Sequence, residues 1–86
     1  MEILYSNRFN KQFSKLSNEI KRDFEEKESI FRLNIFDSRL KTHKLHGKFS
    51  DLYSFSINYR YRIVFDYTNN GKDVRFHAIG THDIYE

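Results

Sequence analysis

The chain has 86 residues, enough for one hydrophobic core but too few for two, so we expect a single domain over residues 1–86. It contains no cysteine, which excludes disulfide bonds and thiolate chemistry, and its net charge of +3 favours anionic partners. The first residues lack the features of a signal peptide, and no apolar run reaches the roughly 18 residues of a membrane span. These features predict a cytoplasmic protein that does not enter membranes.

The first half of the sequence predicts a short strand followed by a helical hairpin. Residues 3–5 are apolar and precede Ser6, and Ser17 opens a second helical segment; both serines are suited to cap a helix. At helical spacing, one face of the first helix carries Phe9, Phe13 and Leu16, and one face of the second carries Ile20, Phe24, Lys27 and Phe31. On the exposed surface of the second helix we expect two ion pairs, Asp23 with Lys27 and Glu28 with Arg32.

The second half changes to a period of two, which is typical of half-buried strands. We predict strands over residues 52–58 and 59–67, and a last strand over 74–79 after a hairpin turn at residues 69–71. In the last strand, Val74, Phe76 and Ala78 should face the core. Together these elements predict a two-layer α+β domain, with the N-terminal strand and helical hairpin packed on a twisted antiparallel sheet of about four strands.

Residues 39–48 have the strongest local charge bias in the chain. They contain four lysines or arginines and two histidines, with no acidic residue. Lysine and arginine at this density bind phosphate oxygens, and Gly47 allows the backbone to turn close to a ligand. The alternative interpretation is an exposed basic loop that binds nothing.

All four histidines, His43, His46, His77 and His82, lie in this second half. Imidazole titrates near neutral pH, with an unperturbed pKa of about 6.5, so histidine beside cations suits acid and base chemistry on a polyanion. His82 follows the last strand, where a side chain can reach over the sheet, whereas His77 suits a structural role in that strand. An ordinary surface position is the alternative for His82.

The alternation also places Arg60 and Arg62 together on the face of the sheet away from the core, beside Ser54 and Ser56. A guanidinium there can clamp a phosphate and stabilise the charge that develops on it. Pairing with Asp66 or Asp73 across the sheet is the alternative, more so for Arg60 than for Arg62.

The sequence gives little support for a metal site or for a Ser-His-Asp catalytic triad. No two histidines stand at the i,i+4 spacing of metalloprotease helices, and no cysteine could assist them. No serine lies in a nucleophile-elbow context. We therefore predict neither a metal site nor a cofactor.

Four segments carry a resemblance to a known family: LKTHKLHGK (40–48), YSFSI (53–57), YRIVF (61–65) and GTHDIY (80–85). Together they resemble the RelE/ParE toxin superfamily, and in particular its YafQ-like mRNA interferases. The resemblance implies a RelE-like fold and a bacterial type II toxin that cleaves mRNA in the ribosomal A site without metal. It also implies a cognate antitoxin that neutralises the toxin in a hetero-oligomeric complex.

The resemblance also assigns roles to residues of this chain. It implies a catalytic group of His43, Arg62 and His82, with His82 protonating the 5′-oxygen and His43 as the candidate general base. Contacts to RNA are expected from Lys41, Lys44, His46, Lys48, Arg60 and Tyr85. The chain departs from its relatives at Ser56 and Arg60, where some have histidine and aspartate, and at Ala78, where arginine is common.

Two other functions fit the same resemblance. A ParE-like chain would inhibit DNA gyrase without chemistry of its own, and a non-catalytic module would bind RNA or the ribosome without cleaving. The pairing of His43 with His82 favours the endoribonuclease, because gyrase inhibition does not require paired histidines.

Overall fold

The computed structural model describes residues 1–85, and the side chains of residues 1–84. Its strands and helices are β1 (Ile3–Tyr5), α1 (Asn7–Ser14), α2 (Asn18–Leu33), β2 (His43–Lys44), β3 (Tyr53–Ser56), β4 (Arg62–Thr68) and β5 (Asp73–Gly80). Short 3-10 turns lie at Ser38–Leu40, Gly47–Phe49, Asn69–Gly71 and His82–Tyr85. Neither helix of this described part has the length and apolar character that a bilayer crossing requires.

The described strands form one sheet in the order β1-β5-β4-β3-β2. Three of the pairings are antiparallel, but β1 runs parallel to β5, with Ile3 opposite Val74. The sheet is therefore mixed and has five strands, where an antiparallel sheet of about four was expected. Nearly the whole chain lies between β1 and β5, which provides the long crossover connection that a parallel pair needs. The predicted α+β class is confirmed.

Both predicted helix caps are confirmed. The Ser6 hydroxyl accepts a hydrogen bond from the Phe9 amide at 3.0 Å, and the Ser17 hydroxyl accepts one from the Ile20 amide at 3.3 Å. Each serine thus satisfies one of the amide groups that a helix leaves free at its start. The Ser6 hydroxyl also donates to the carbonyl oxygen of His77 at 2.8 Å, which fixes the start of α1 against β5.

The core is built from phenylalanine rings between the helices and one face of the sheet. Phe31 of α2 is fully buried, and its ring stacks on Phe55 with centroids 4.7 Å apart. Its edges meet the rings of Phe65 and Phe76 at 5.1 and 5.3 Å. Offset and edge-to-face contacts of this kind add to the free energy gained by burying the rings. The opposite face of the sheet lies away from the core-packed faces of α1 and α2, and we call it the open face.

A β-bulge changes which residues of β5 face the core. Phe65 pairs with Phe76 but Val64 pairs with Ala78, so His77 is the extra residue. Beyond the bulge, Ile79 lies in the core cluster and Ala78 lies with Val64 on the open face. The prediction that Ala78 faces the core was therefore wrong, because strict alternation does not allow for an inserted residue.

A turn interrupts the second predicted strand. The Asn58 side-chain oxygen accepts hydrogen bonds from the amides of Arg60 at 2.9 Å and Tyr61 at 2.7 Å, so β4 begins only at Arg62. Arg60 is exposed in this turn rather than on the strand beside Arg62, which corrects the prediction that the two share a face. Asparagine commonly bonds to the backbone two residues ahead, which favours such a turn over a strand.

The same turn also forms hydrogen bonds with both residues of a predicted ion pair. The Asn58 amide donates to the Asp23 carboxylate at 3.0 Å, and the Lys27 ammonium donates to the Ile57 carbonyl at 3.3 Å. Asp23 and Lys27 therefore bind the β3–β4 turn instead of each other, and the predicted pair between them was wrong. The other predicted pair, Glu28 with Arg32, is confirmed at 4.0 Å.

Candidate active site

Two rows of paired residues cross the open face of the sheet. One row runs from Ser56 of β3 through Arg62 of β4 to Gly80 of β5. The other runs through His43, Ser54, Val64 and Ala78. Residues directly opposite in neighbouring strands point to the same side, so His43 and Arg62 share the open face. Their Cα atoms are about 12 Å apart, from two strand spacings and two residues along a strand.

A cleft of about 280 Å³ opens at the end of the Arg62 row. It is lined by Lys27, Arg39, Lys41, Ser56, Ile57, Asn58, Tyr59 and Arg62. Half of these residues are cations and none is acidic. We call this feature the cationic cleft, and its chemistry suits a ligand with several negative charges.

Arg62 is the central cation of the cationic cleft. Its side chain is half-buried, and its Nε atom is shielded from solvent without a hydrogen-bond partner among the described residues. Burying a donor without a hydrogen-bond partner costs about 1–3 kcal/mol of stability. A ligand oxygen that accepted a hydrogen bond from it would recover this free energy. The guanidinium can bind two phosphate oxygens at once because its donors form a planar fork.

Two further cations reach the cationic cleft from outside the sheet. The hydrogen bond from Lys27 to the Ile57 carbonyl holds the ammonium group at the cleft wall. Arg39 is oriented by Asp37, whose carboxylate lies 2.9 Å from its Nε atom. The hydrogen bonds from Arg39 lower the pKa of Asp37 to about 2, so this carboxylate stays charged near neutral pH. Lys27 was not among the site residues expected from sequence, whereas Arg39 belongs to the basic segment 39–48 that was expected to bind phosphate.

An exposed tyrosine lies at the rim of the cationic cleft. Tyr59 is 89% exposed in the β3–β4 turn, although it lines the cleft beside Arg62. An exposed ring beside phosphate-binding cations is suited to stack on a nucleobase. The sequence did not reveal this, because the alternating pattern assigned Tyr59 to the core face of a strand.

His43 is held in one tautomer by the backbone. Its Nδ1 atom lies 3.0 Å from the Lys41 carbonyl oxygen, which can only accept, so Nδ1 carries the proton in this hydrogen bond. In the neutral ring, Nε2 is then free to accept a proton. Lys41 itself has a φ of 54°, a left-handed conformation that is uncommon for lysine and turns its carbonyl group toward His43.

β5 ends at Gly80, so His82 lies at the same end of the sheet as Arg62. Gly80 pairs with Arg62, and His82 is exposed in the 3-10 turn that follows. A Cβ atom on Gly80 would lie 2.3 Å from Cγ2 of Ile84. A larger residue at position 80 would therefore displace the Ile84 side chain from its place on the sheet. Tyr85 belongs to this turn, but its side chain lies outside the described residues.

The structure separates several other residues that the sequence grouped with this site. Lys44 pairs with Tyr53, so strand alternation turns it to the side of the sheet that bears the helices. His46 and Lys48 lie exposed at the next 3-10 turn, where the Lys48 ammonium is 5.2 Å from the centre of the Phe49 ring. Arg60 is in the β3–β4 turn. The open face thus carries both His43 and Arg62. Lys41 lines the cationic cleft, and His82 lies in the turn that follows β5.

The described residues contain no group of three or more His, Cys, Asp or Glu side chains that could hold a metal ion. The one close contact between a histidine and a carboxylate in this part of the chain involves His77, whose Nε2 atom faces Asp66.

Solved structures of toxins are similar to this fold. The YoeB/ParE toxin from Agrobacterium tumefaciens matches with a TM-score of 0.80 and 13% identity, over 95% of this chain and 99% of the toxin. YafQ in the Escherichia coli DinJ–YafQ toxin–antitoxin complex matches at 0.73 and 20%, over 96% and 93%. The archaeal RelE–RelB complex from Pyrococcus horikoshii OT3 matches at 0.74 and 18%, over 93% and 92%. No protein-family model and no curated protein matches the sequence.

These similarities establish the fold. The chain has the RelE-like fold of the RelE/ParE toxin superfamily, along nearly its whole length. The expected likeness to YafQ is confirmed at the level of the fold.

Proposed function

We propose that this chain is the toxin of a type II toxin–antitoxin pair and acts as a ribosome-dependent mRNA endoribonuclease. The observation that carries the proposal is the unpartnered, buried Nε of Arg62 in an acid-free cationic cleft, on the face that also bears His43. The toxin assignment is supported by the similarity to YafQ, YoeB/ParE and RelE structures.

In the proposed reaction, the RNA 2′-hydroxyl attacks the neighbouring phosphorus atom. Nε2 of His43 takes the hydroxyl proton, which its tautomer allows. Arg62 neutralises the charge that develops on the phosphate oxygens, and His82 gives a proton to the departing 5′-oxygen. The new bond joins the 2′-oxygen to phosphorus as the bond to the 5′-oxygen breaks. The products are a 2′,3′-cyclic phosphate and a 5′-hydroxyl.

The remaining cations of the cationic cleft bind the RNA backbone in this proposal. Lys27, Arg39 and Lys41 surround Arg62 and extend the positive surface to α2. Phosphate contacts of this type release counterions, so the affinity for RNA should fall steeply as salt rises. Tyr59 supplies a stacking surface beside them. The partners are therefore mRNA and the ribosome that presents it.

A cognate antitoxin is the second proposed partner. The cationic cleft is open in the isolated chain, and its charge would attract nucleic acid indiscriminately. An acidic, helical antitoxin segment that covers the cleft and the turn bearing His82 would prevent this, within a toxin–antitoxin hetero-oligomer. The DinJ–YafQ structure is a toxin–antitoxin complex of a protein with the same fold.

Primer extension on mRNA during translation tests the enzymatic proposal. Wild type should give discrete cleavage products that disappear for His82→Ala and for His43→Asn. The asparagine variant keeps a donor for the Lys41 carbonyl but lacks the Nε2 base, so it isolates proton transfer from positioning. We expect losses of about 10²–10⁴-fold with circular dichroism unchanged. Unaltered cleavage by either variant would remove that histidine from the mechanism.

A ParE-like action on DNA gyrase is the second candidate, because the YoeB/ParE structure is similar at a TM-score of 0.80. Gyrase-dependent DNA breaks with intact mRNA would favour it. Salt-sensitive binding to RNA or ribosomes that persists without any cleavage would instead identify a non-catalytic binding module.

A further inference from the structure

A second cavity lies on the open face, and the proposed reaction does not use it. Its volume is about 140 Å³. We call it the ring pocket, and it is lined by Arg8, Leu45, Phe49, Leu52, Val64, His77, Ala78 and Ile84. Six of these side chains are apolar and none is acidic.

The floor of the ring pocket depends on the bulge in β5. Val64 and Ala78 pair directly across β4 and β5, and both are buried. The bulge at His77 turns Ala78 to the open face, and its short side chain leaves the space above Val64 unfilled. Leu45 and Leu52 form one wall, and Ile84 forms another from the turn that packs on Gly80.

The volume of the ring pocket limits what can enter it. A cavity of about 150 Å³ with apolar walls is known to hold one benzene molecule. A single six-membered ring therefore matches this volume more closely than the fused rings of a purine do. Phe49 adds an aromatic surface to the wall, and aromatic side chains stack on nucleobases.

The polar rim favours a ring that carries oxygen atoms. Arg8 is exposed at the rim, and within the described part of the chain its guanidinium forms no ion pair or hydrogen bond. It can donate only, so it suits the carbonyl oxygens of a pyrimidine. His77 is the other polar residue of the lining.

The ring pocket also adjoins the cationic cleft. Val64 in its floor and Arg62 in the cleft are two residues apart in β4 and lie on the same face. Their Cα atoms are therefore about 7 Å apart. A phosphate at Arg62 thus lies within one nucleotide of the pocket.

We propose that the ring pocket binds the pyrimidine base of a nucleotide whose phosphate lies at Arg62, and so selects the base next to the cleavage site. This inference rests on the proposed function for the placement of RNA on the open face. The apolar walls provide affinity for the ring, the volume of the pocket favours a single ring over two fused rings, and Arg8 holds a carbonyl oxygen.

Nitrogen–proton NMR spectra of the full chain test the proposal directly. Uridine and cytidine 5′-monophosphate should shift the amide signals of Val64, Ala78 and Ile84. Ribose 5-phosphate, which has no base, should shift only signals near Arg62. Equal shifts at the pocket from adenosine or guanosine 5′-monophosphate would overturn the pyrimidine assignment. If no nucleotide shifts these signals, the proposal is wrong.

Two variants sharpen the test. Arg8→Ala should weaken uridine 5′-monophosphate binding roughly tenfold, as expected for losing one hydrogen bond to a charged group. Arg22→Ala removes the same charge from an exposed position of α2 that lines neither cavity, so it should bind like wild type. Ala78→Leu should fill the pocket and abolish the base-dependent shifts while those near Arg62 persist. Equal affinities of the Arg8 and Arg22 variants would contradict the role of Arg8.

The binding experiment is independent of catalysis. If the chain proves not to cleave RNA, pyrimidine-specific shifts at the ring pocket would still appear. If it cleaves RNA but pyrimidines leave the pocket signals unchanged, only this inference fails.

Discussion

Nε2 of His77 lies 2.9 Å from Oδ1 of Asp66, and both atoms are shielded from solvent. The atoms are close without the alignment of a regular hydrogen bond, and neither has another hydrogen-bond partner among the described residues. The second oxygen of Asp66 lies 3.4 Å from Nη2 of Arg75. Asp66 therefore holds two side chains of β5 against β4, and His77 is engaged within the fold.

Removing the Asp66 carboxylate should destabilise the domain. Asp66→Ala removes the carboxylate that lies against Nε2 of His77 and accepts the hydrogen bond from Arg75, so we expect the free energy of unfolding to fall by about 1–3 kcal/mol. Urea denaturation measures this. Asp51→Ala, at an exposed aspartate in the loop before β3, should change stability by less than about 0.5 kcal/mol. Identical urea midpoints for the two variants would show that the Asp66 contacts contribute nothing.

Arg60 and Arg62 provide a matched pair for the cationic cleft. Arg62→Lys keeps the charge but loses the planar fork, and should slow single-turnover RNA cleavage by about 10²–10³-fold. Arg60→Lys, in the exposed β3–β4 turn, should leave the cleavage rate nearly unchanged. Equal losses for the two variants would mean that overall charge, rather than the position of Arg62, governs the reaction.

Substitution of Lys41 should affect both the stability of the fold and the binding of RNA. Lys41→Gly and Lys41→Ala remove the same charge, but only glycine adopts a φ of 54° without strain. We expect the glycine variant to be more stable than the alanine variant by about 1 kcal/mol in thermal unfolding. Both should lower the salt dependence of RNA binding by roughly one phosphate contact. An alanine variant as stable as the glycine variant would argue against strain at this position.

Tyr5 should make the fold sensitive to alkali. Burial and then its hydrogen bond to the Glu28 carboxylate raise the pKa of Tyr5 to about 12, above its ordinary value of 10.0. The folded state binds the phenol proton more tightly, so this contribution is complete below pH 10 and is lost as the pH rises through about 12. Urea midpoints across this range should fall less for Tyr5→Phe than for wild type. Tyrosinate absorbance should show Tyr5 ionising at lower pH in Glu28→Gln.

Local patterns were sufficient to predict most of the fold. The serine caps, the helical spacing of the phenylalanines and the turn at residues 69–71 each involve neighbouring residues, and the structure has all three. The parallel pairing of β1 depends on a partner at the far end of the chain. Nothing in residues 3–5 specifies which edge of the sheet they join or in which direction. The local sequence pattern therefore could not predict the parallel pairing.

The candidate site was predictable only in part, because two local interruptions change what the strands present. The Asn58 turn removes Arg60 from the sheet face, and the bulge at His77 brings Ala78 onto it. Lys27 stands at a core-facing position of α2, where a charged residue in an apolar stripe was the available signal. Its ammonium passes the edge of the core and reaches the Ile57 carbonyl at the cleft.

The contact between the first and last strands has a consequence for the order of folding. The Ser6 hydroxyl bonds to the carbonyl of His77, 71 residues further along, whereas β3, β4 and β5 pair as neighbours in sequence. Closing the longer loop costs more chain entropy, so the β3–β4–β5 meander should form before β1 and α1 dock. The Arg62 row can thus assemble early, while Arg8 arrives only with the final closure. Base selection would then be the last property that the folding chain acquires.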